Sequence, residues 1–114
     1  MKRYRIRIEE GRPLVETLES KLRKVGIREG FIISLAGALD GFSLVTIYND
    51  SQKVPPDHFE TEFKEKVEIT GSGFIEKGKV HLHLCCGKEG GQTLCGHLVE
   101  GMVTYFVDVG IVVG

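Results

Sequence analysis

The chain is predicted to be an α+β domain, a largely antiparallel sheet with one main helix near the N-terminus, and three observations predict it. Only one segment, Leu14 to Val25, repeats its apolar residues at helical spacing. Most of the remainder alternates apolar and polar residues in runs separated by short Gly- or Pro-bearing breaks. The length, 114 residues, is that of one domain, expected to span 1–114, and is long enough to bury a core without disulfide or metal staples.

The first strand is predicted from Tyr4, Ile6 and Ile8 alternating with Arg3, Arg5 and Arg7. Glu9 to Pro13 breaks it, and Pro13 suits the first turn of a helix, where a missing N–H costs nothing. Leu14, Val15, Leu18, Leu22 and Val25 then form one apolar face, and Gly26 is a left-handed stop. Phe31 to Leu39 and Phe42 to Tyr48 are β-rich runs flanking Asp40-Gly41, a hairpin signal. Asn49 to Asp57, with Pro55-Pro56, reads as a loop.

Phe59, Thr61, Phe63, Val67 and Ile69 alternate with charged residues, giving one long half-buried strand or two with a kink at Glu65. The small residues of Gly71-Ser72-Gly73 suit a place where another backbone comes close. Glu76 to Lys79 is a turn, Val80 to Cys86 a strand, Gly87 to Gln92 a Gly-rich turn, and Thr93 to Val113 the rest of the sheet. This amounts to about six or seven strands.

Composition narrows the function. A formal net charge of −1 removes the global positive field that draws a small protein onto nucleic acid, so such a role would need a local patch. The Arg3, Arg5, Arg7 cluster adjoins Glu9 and Glu10 and reads as a solvated or subunit-contact face. Gly11-Arg12-Pro13 resembles the core of a minor-groove hook, but it follows two acids that would repel phosphate. No apolar run spans a bilayer and the basic opening lacks an apolar segment behind it, so no membrane association and a cytoplasmic location are expected. Three cysteines, two of them adjacent, fit a reducing compartment better than a disulfide framework.

The chemistry concentrates in His81 to His97. On a strand, His81, His83 and Cys85 share one face. An antiparallel hairpin centred near Gly90 would set Cys85 opposite Cys95 and His83 opposite His97, with Cβ atoms ~5 Å apart. Two imidazoles at that spacing can reach one ion at Zn–N distances of ~2.0–2.1 Å. His81, His83 and His97 are therefore candidate ligands for zinc or another divalent transition metal, and Cys85 or Cys95 is a candidate fourth ligand. The competing reading makes the histidines surface or interface residues and the cysteines small buried hydrophobes. A one-residue slip in register would move His97 to the other face. His58 has no partner pattern.

In order along the chain, Gly26-Ile27-Arg28-Glu29-Gly30-Phe31, Ser34 to Leu39, Glu68-Ile69-Thr70-Gly71-Ser72-Gly73, His81-Leu82-His83 and Gly96-His97-Leu98-Val99-Glu100-Gly101 resemble the plants and prokaryotes conserved (PPC) domain in its stand-alone prokaryotic form. The resemblance implies a PPC-like domain assembling as a homotrimer, with His81, His83 and His97 as the metal site. It also leaves DNA binding as the alternative role, although the hook of the plant members is absent. Cys95 before Gly96, and Cys85-Cys86 after the H-x-H pair, depart from the family pattern. Independently of the resemblance, one helix cannot cover a sheet of this size or its edges, and the tail Val107, Val109, Ile111, Val112 and Val113 is a candidate for burial against a neighbouring subunit. Three histidines would leave a position for water or a small anion, which would permit metal-assisted hydrolysis. Binding without catalysis is the expectation, with Glu100 the nearest acid in sequence that could act as a base.

Overall fold

The computed structural model describes all 114 residues. Its elements are β1 (Lys2–Glu9), α1 (Leu14–Lys24), β2 (Gly30–Ile47), β3 (His58–Glu76), β4 (Lys79–Gly87), a 3₁₀ turn at Glu89–Gly91, and β5 (Thr93–Val113). Every strand pairing is antiparallel, in the order β1-β5-β2-β3-β4, and a further β4–β5 pairing closes β5, β2, β3 and β4 on one another. The expected α+β class and single N-terminal helix are present. No helix is long and apolar enough to cross a membrane.

Five strands replace the expected six or seven because two breaks in the sequence pattern bend a strand without ending it. Asp40-Gly41 makes no hairpin. β2 runs through it: between Leu39 and Phe42 two residues, Asp40 and Gly41, stand opposite one residue of β5, Met102, and Gly41 takes φ +86°. A left-handed glycine with one extra residue is how a bulge forms inside a continuing ladder. β3 likewise continues through Glu65 to Glu76. Its first residues, including Phe59 and Thr61, are exposed; there β3 is an edge, paired to β2 alone, because its pairing with β4 begins only at Glu68.

Helix α1 buries Leu14, Leu18 and Leu22, the i, i+4, i+8 positions of its apolar face, against the sheet. Pro13 occupies the N-cap with φ −69° and offers no side-chain cap. The free N–H groups of the first turn are met from β5 instead, where Glu100 accepts Val15 N–H at 2.7 Å and Glu16 N–H at 3.1 Å. At the other end, Ile27 N–H bonds the Leu22 carbonyl at 3.0 Å and Gly26 N–H the Arg23 carbonyl at 3.2 Å, with Gly26 at φ +76°. This is the Schellman arrangement, and buried Ile27 and Leu22 supply its apolar contact.

The apolar tail is not spare surface. β5 lies between β1 and β2, so Val107, Val109 and Ile111 are already in the core at 0–1% exposure, and only Val112 and Val113 are partly accessible. The large exposed apolar side chains lie elsewhere, Phe31 and Ile33 prominent among them.

Glu100 also accepts the Gly101 N–H at 3.0 Å, so its carboxylate serves three backbone donors. The Glu100→Ala variant is expected to unfold about 1–2 kcal/mol more easily, the size of a lost helix cap, in urea denaturation followed by circular dichroism.

Candidate metal centre

β4 turns Val80, Leu82, Leu84 and Cys86 inward, which leaves His81, His83 and Cys85 on its outer face. Gly71 and Gly73 of β3 permit that placement. A Cβ at either glycine would run into the carbonyl oxygen of His83 or His81, respectively, so any larger residue would push β4 away. Across the Gly-rich turn, the Lys88 N–H bonds the Gln92 carbonyl at 2.8 Å, and the hairpin register follows from it. His83 faces His97 and Cys85 faces Cys95, the pairing expected from the sequence.

The His83 and His97 rings stand 5.4 Å apart edge to face, and the His81 and His97 rings 6.2 Å apart. His81 stacks on Phe74 at 4.6 Å with an interplanar angle of 13°. The three imidazoles thus share a patch but not a coordination sphere: no group of three or more His, Cys, Asp or Glu side chains stands where it could hold a metal ion as placed. Turning the rings toward one point is the movement a site would need. Burial, and after it the neighbouring His83, His81 and His58, hold His97 below the ordinary histidine pKa, which favours the neutral, electron-donating form.

His58 is the residue the sequence pattern missed. An open groove of about 500 Å³ is lined by His58, His83, Cys95 and His97 together with Val45 and Thr46. His58 reaches it because it pairs with Ile47 on β2, and Val45 of the same strand pairs with His97. No local spacing signals a juxtaposition that depends on two long-range pairings. His81 does not line this groove. A larger groove of about 650 Å³ lies away from the histidines, among Glu10, Lys66, Glu68, Lys88, Glu89 and Tyr105, and its mixed charges converge on no single ligand type.

The cysteines divide in two. Cys86 is the small buried hydrophobe, fully enclosed, with burial pushing its thiol up to about 11. Cys85 and Cys95 are exposed free thiols, their sulfurs 2.8 Å apart, and donation to Cys85 raises the Cys95 pKa. The expectation of buried hydrophobes therefore fails for these two, because their register places them on the outer face. Glu100 is also corrected as a candidate base: both its oxygens are committed to backbone N–H groups at the start of α1.

The basic features are similarly engaged. Gly11 N–H bonds the Val103 carbonyl at 2.8 Å and Val103 N–H the Arg12 carbonyl at 2.9 Å, so the hook-like segment is laced to β5. Asp108 accepts both Arg7 Nε at 2.8 Å and Arg5 Nη2 at 2.7 Å, and the Arg7 guanidinium lies 4.2 Å from the Phe106 ring centre. These bonds, Arg7 first, hold the Asp108 carboxyl far below its ordinary value. Its folded pKa is depressed, so its contribution to stability is complete above the ordinary value of 3.8 and is lost as pH falls beneath it. Asp108→Asn should lower the melting temperature slightly at neutral pH, since the guanidiniums are exposed. In melts taken across pH, the gap from the parent protein should close below that value.

Sequence and structure comparisons agree with this architecture. The model of the Plants and Prokaryotes Conserved (PCC) domain matches residues 1–114. A bifunctional protein GlmU from Synechococcus sp. (strain JA-2-3B'a(2-13)) is 33% identical over 105 residues, which is 92% of this chain but 16% of that protein, so the chain spans only a small part of this relative. Among solved structures, a plant- and prokaryote-conserved (PPC) protein from Pyrococcus horikoshii superposes with a TM-score of 0.83 at 23% identity, covering 97% of this chain and 77% of that one. A metal-containing protein from Archaeoglobus fulgidus gives 0.81 at 28% identity, covering 97% and 78%. A protein from Bacteroides thetaiotaomicron whose name proposes DNA binding gives 0.80 at 22% identity, covering 96% and 76%. The closed antiparallel sheet, the single helix and the match along the full 114 residues place this chain in the plants and prokaryotes conserved domain family.

Proposed function

We propose that the chain is a homotrimeric metal-binding protein in which His81, His83 and His97 hold zinc or another divalent transition metal. The observation that carries this reading is the direct cross-strand pairing of His83 with His97, with His81 on the same outer face. The likeness to the metal-containing Archaeoglobus fulgidus protein supports it. The donor set fits the group: imidazole nitrogens suit zinc, copper, iron and nickel, and the lowered pKa of His97 favours the neutral form a ligand needs. Three protein ligands would leave a fourth position for water or a small anion, and zinc there would supply Lewis acidity. Glu100 is committed to the helix, which removes the one acid the sequence offered as a base and favours binding over catalysis. Three free thiols suit a reducing, cytoplasmic setting.

The trimer reading draws on an exposed apolar row. Val112, Phe31 and Phe74 lie side by side across β5, β2 and β3, and Phe31 is 66% exposed. A contiguous apolar stripe on an outer face is what a subunit contact would cover. Native mass spectrometry should therefore record three chains and a stoichiometric divalent metal. The His83→Ala, His97→Ala double variant should keep the trimer and lose the metal, and chelation should lower the melting temperature of the parent protein. A metal-free monomer at micromolar concentration would refute both parts.

DNA association is the second reading, resting on Arg3, Arg5 and Arg7 along the outer face of β1. Asp108 neutralises part of that patch, which is why metal binding is preferred. On this reading, binding to duplex DNA falls steeply with salt and strengthens in Asp108→Asn, as an electrophoretic shift would show; no shift at low salt would dismiss it.

A further inference from the structure

We infer that Cys85 and Cys95 form a dithiol that closes a reversible cross-strand disulfide on exchange with a small-molecule disulfide of the glutathione class. The inference concerns modification of the chain and does not rest on metal binding.

Three features of the hairpin carry it. First, Cys85 and Cys95 are direct partners in the β4–β5 register, and their sulfurs are 2.8 Å apart. A disulfide needs about 2.05 Å, so closure requires only a small side-chain movement. Second, the pair occupies the favourable kind of position. Opposed residues in an antiparallel ladder alternate between hydrogen-bonded and non-hydrogen-bonded pairs. Counting from the Lys88–Gln92 hydrogen bond, Gly87/Thr93 is non-bonded, Cys86/Leu94 bonded and Cys85/Cys95 non-bonded. Non-bonded partners have Cα atoms about 4.5 Å apart, within the range that disulfides span. Third, both sulfurs are on exposed residues, whereas adjacent Cys86 points into the core with no exposure. The strand alternation thus separates one reachable pair from one enclosed thiol.

The exchange balances in two steps. The thiolate of one cysteine attacks a sulfur of the small disulfide, forming a mixed disulfide and releasing one small thiol. The other cysteine then attacks the protein sulfur of that mixed disulfide, closing the Cys85–Cys95 bond and releasing the second small thiol. Two cysteine thiols lose two electrons and two protons, and the small disulfide gains both. The bond would tie β4 to β5 between the His83/His97 pair and the Gly-rich turn.

The test uses the full chain, treated with chelator and equilibrated without oxygen in graded mixtures of reduced and oxidised glutathione. Samples are quenched in acid, blocked with a maleimide and mapped by peptide mass spectrometry with fragmentation. The expected result is a fall from three free thiols to one, the loss of two hydrogen masses and a Cys85–Cys95 linked peptide, all reversed by dithiothreitol. Cys95→Ser should instead retain a glutathione adduct at Cys85. Linkage through Cys86, a bond between chains, a lasting adduct on the parent protein, or three free thiols in the most oxidising mixture would each overturn the inference. Because the measurement is made without metal, a failed metal reading would leave its outcome unaffected.

Discussion

The inward packing of one face of β4 is the constraint on which the rest of the molecule depends. Val80, Leu82, Leu84 and Cys86 join the core, and a strand that buries one face must present the other. His81, His83 and Cys85 are outward for that reason alone. The same burial sets the register: sliding β4 by one residue against β5 would place imidazoles in the core and leucines in water. The His83/His97 and Cys85/Cys95 pairings thus share a cause with the hydrophobic core and need no separate interaction to specify them.

Two further devices bring that strand into place. Gly71 and Gly73 keep β3 bare of side chains where the His83 and His81 carbonyls approach. The Glu100 carboxylate joins β5 to the first turn of α1, whose N-cap proline cannot satisfy the open donors. The helix covering the core is therefore anchored by the strand that carries His97. Stability and the candidate site are built from the same strands, and Glu100, three residues beyond His97, serves the former.

Much of this was legible along the chain wherever the signal was local. The helix and its Gly26 stop, the alternation of β1, the close backbone approach at Gly71 to Gly73 and the β4–β5 register all follow from periodicity or turn chemistry within a few residues. Asp40-Gly41 misled because a left-handed glycine serves a hairpin and a bulge equally well, and the choice depends on whether neighbouring strands hold the ladder on both sides. β2 lies between β5 and β3, so the strand continues. The aliphatic tail misled for a similar reason. Alternating valines mark a buried face, but not whether the burial comes from the same chain or from another.

The amino-acid sequence by itself determined which residues of one strand share a face: His81, His83 and Cys85 on one side, with Val80, Leu82 and Leu84 on the other. Strand geometry enforces that outcome through a period of two. Only the tertiary structure decided which groups meet across the sheet. It brought His58 to the groove of His83 and His97, joined Asp108 to Arg5 and Arg7, and withdrew Glu100 into a helix cap. Those contacts join residues far apart in the chain, and they form through the closure of the whole sheet, which no local pattern encodes.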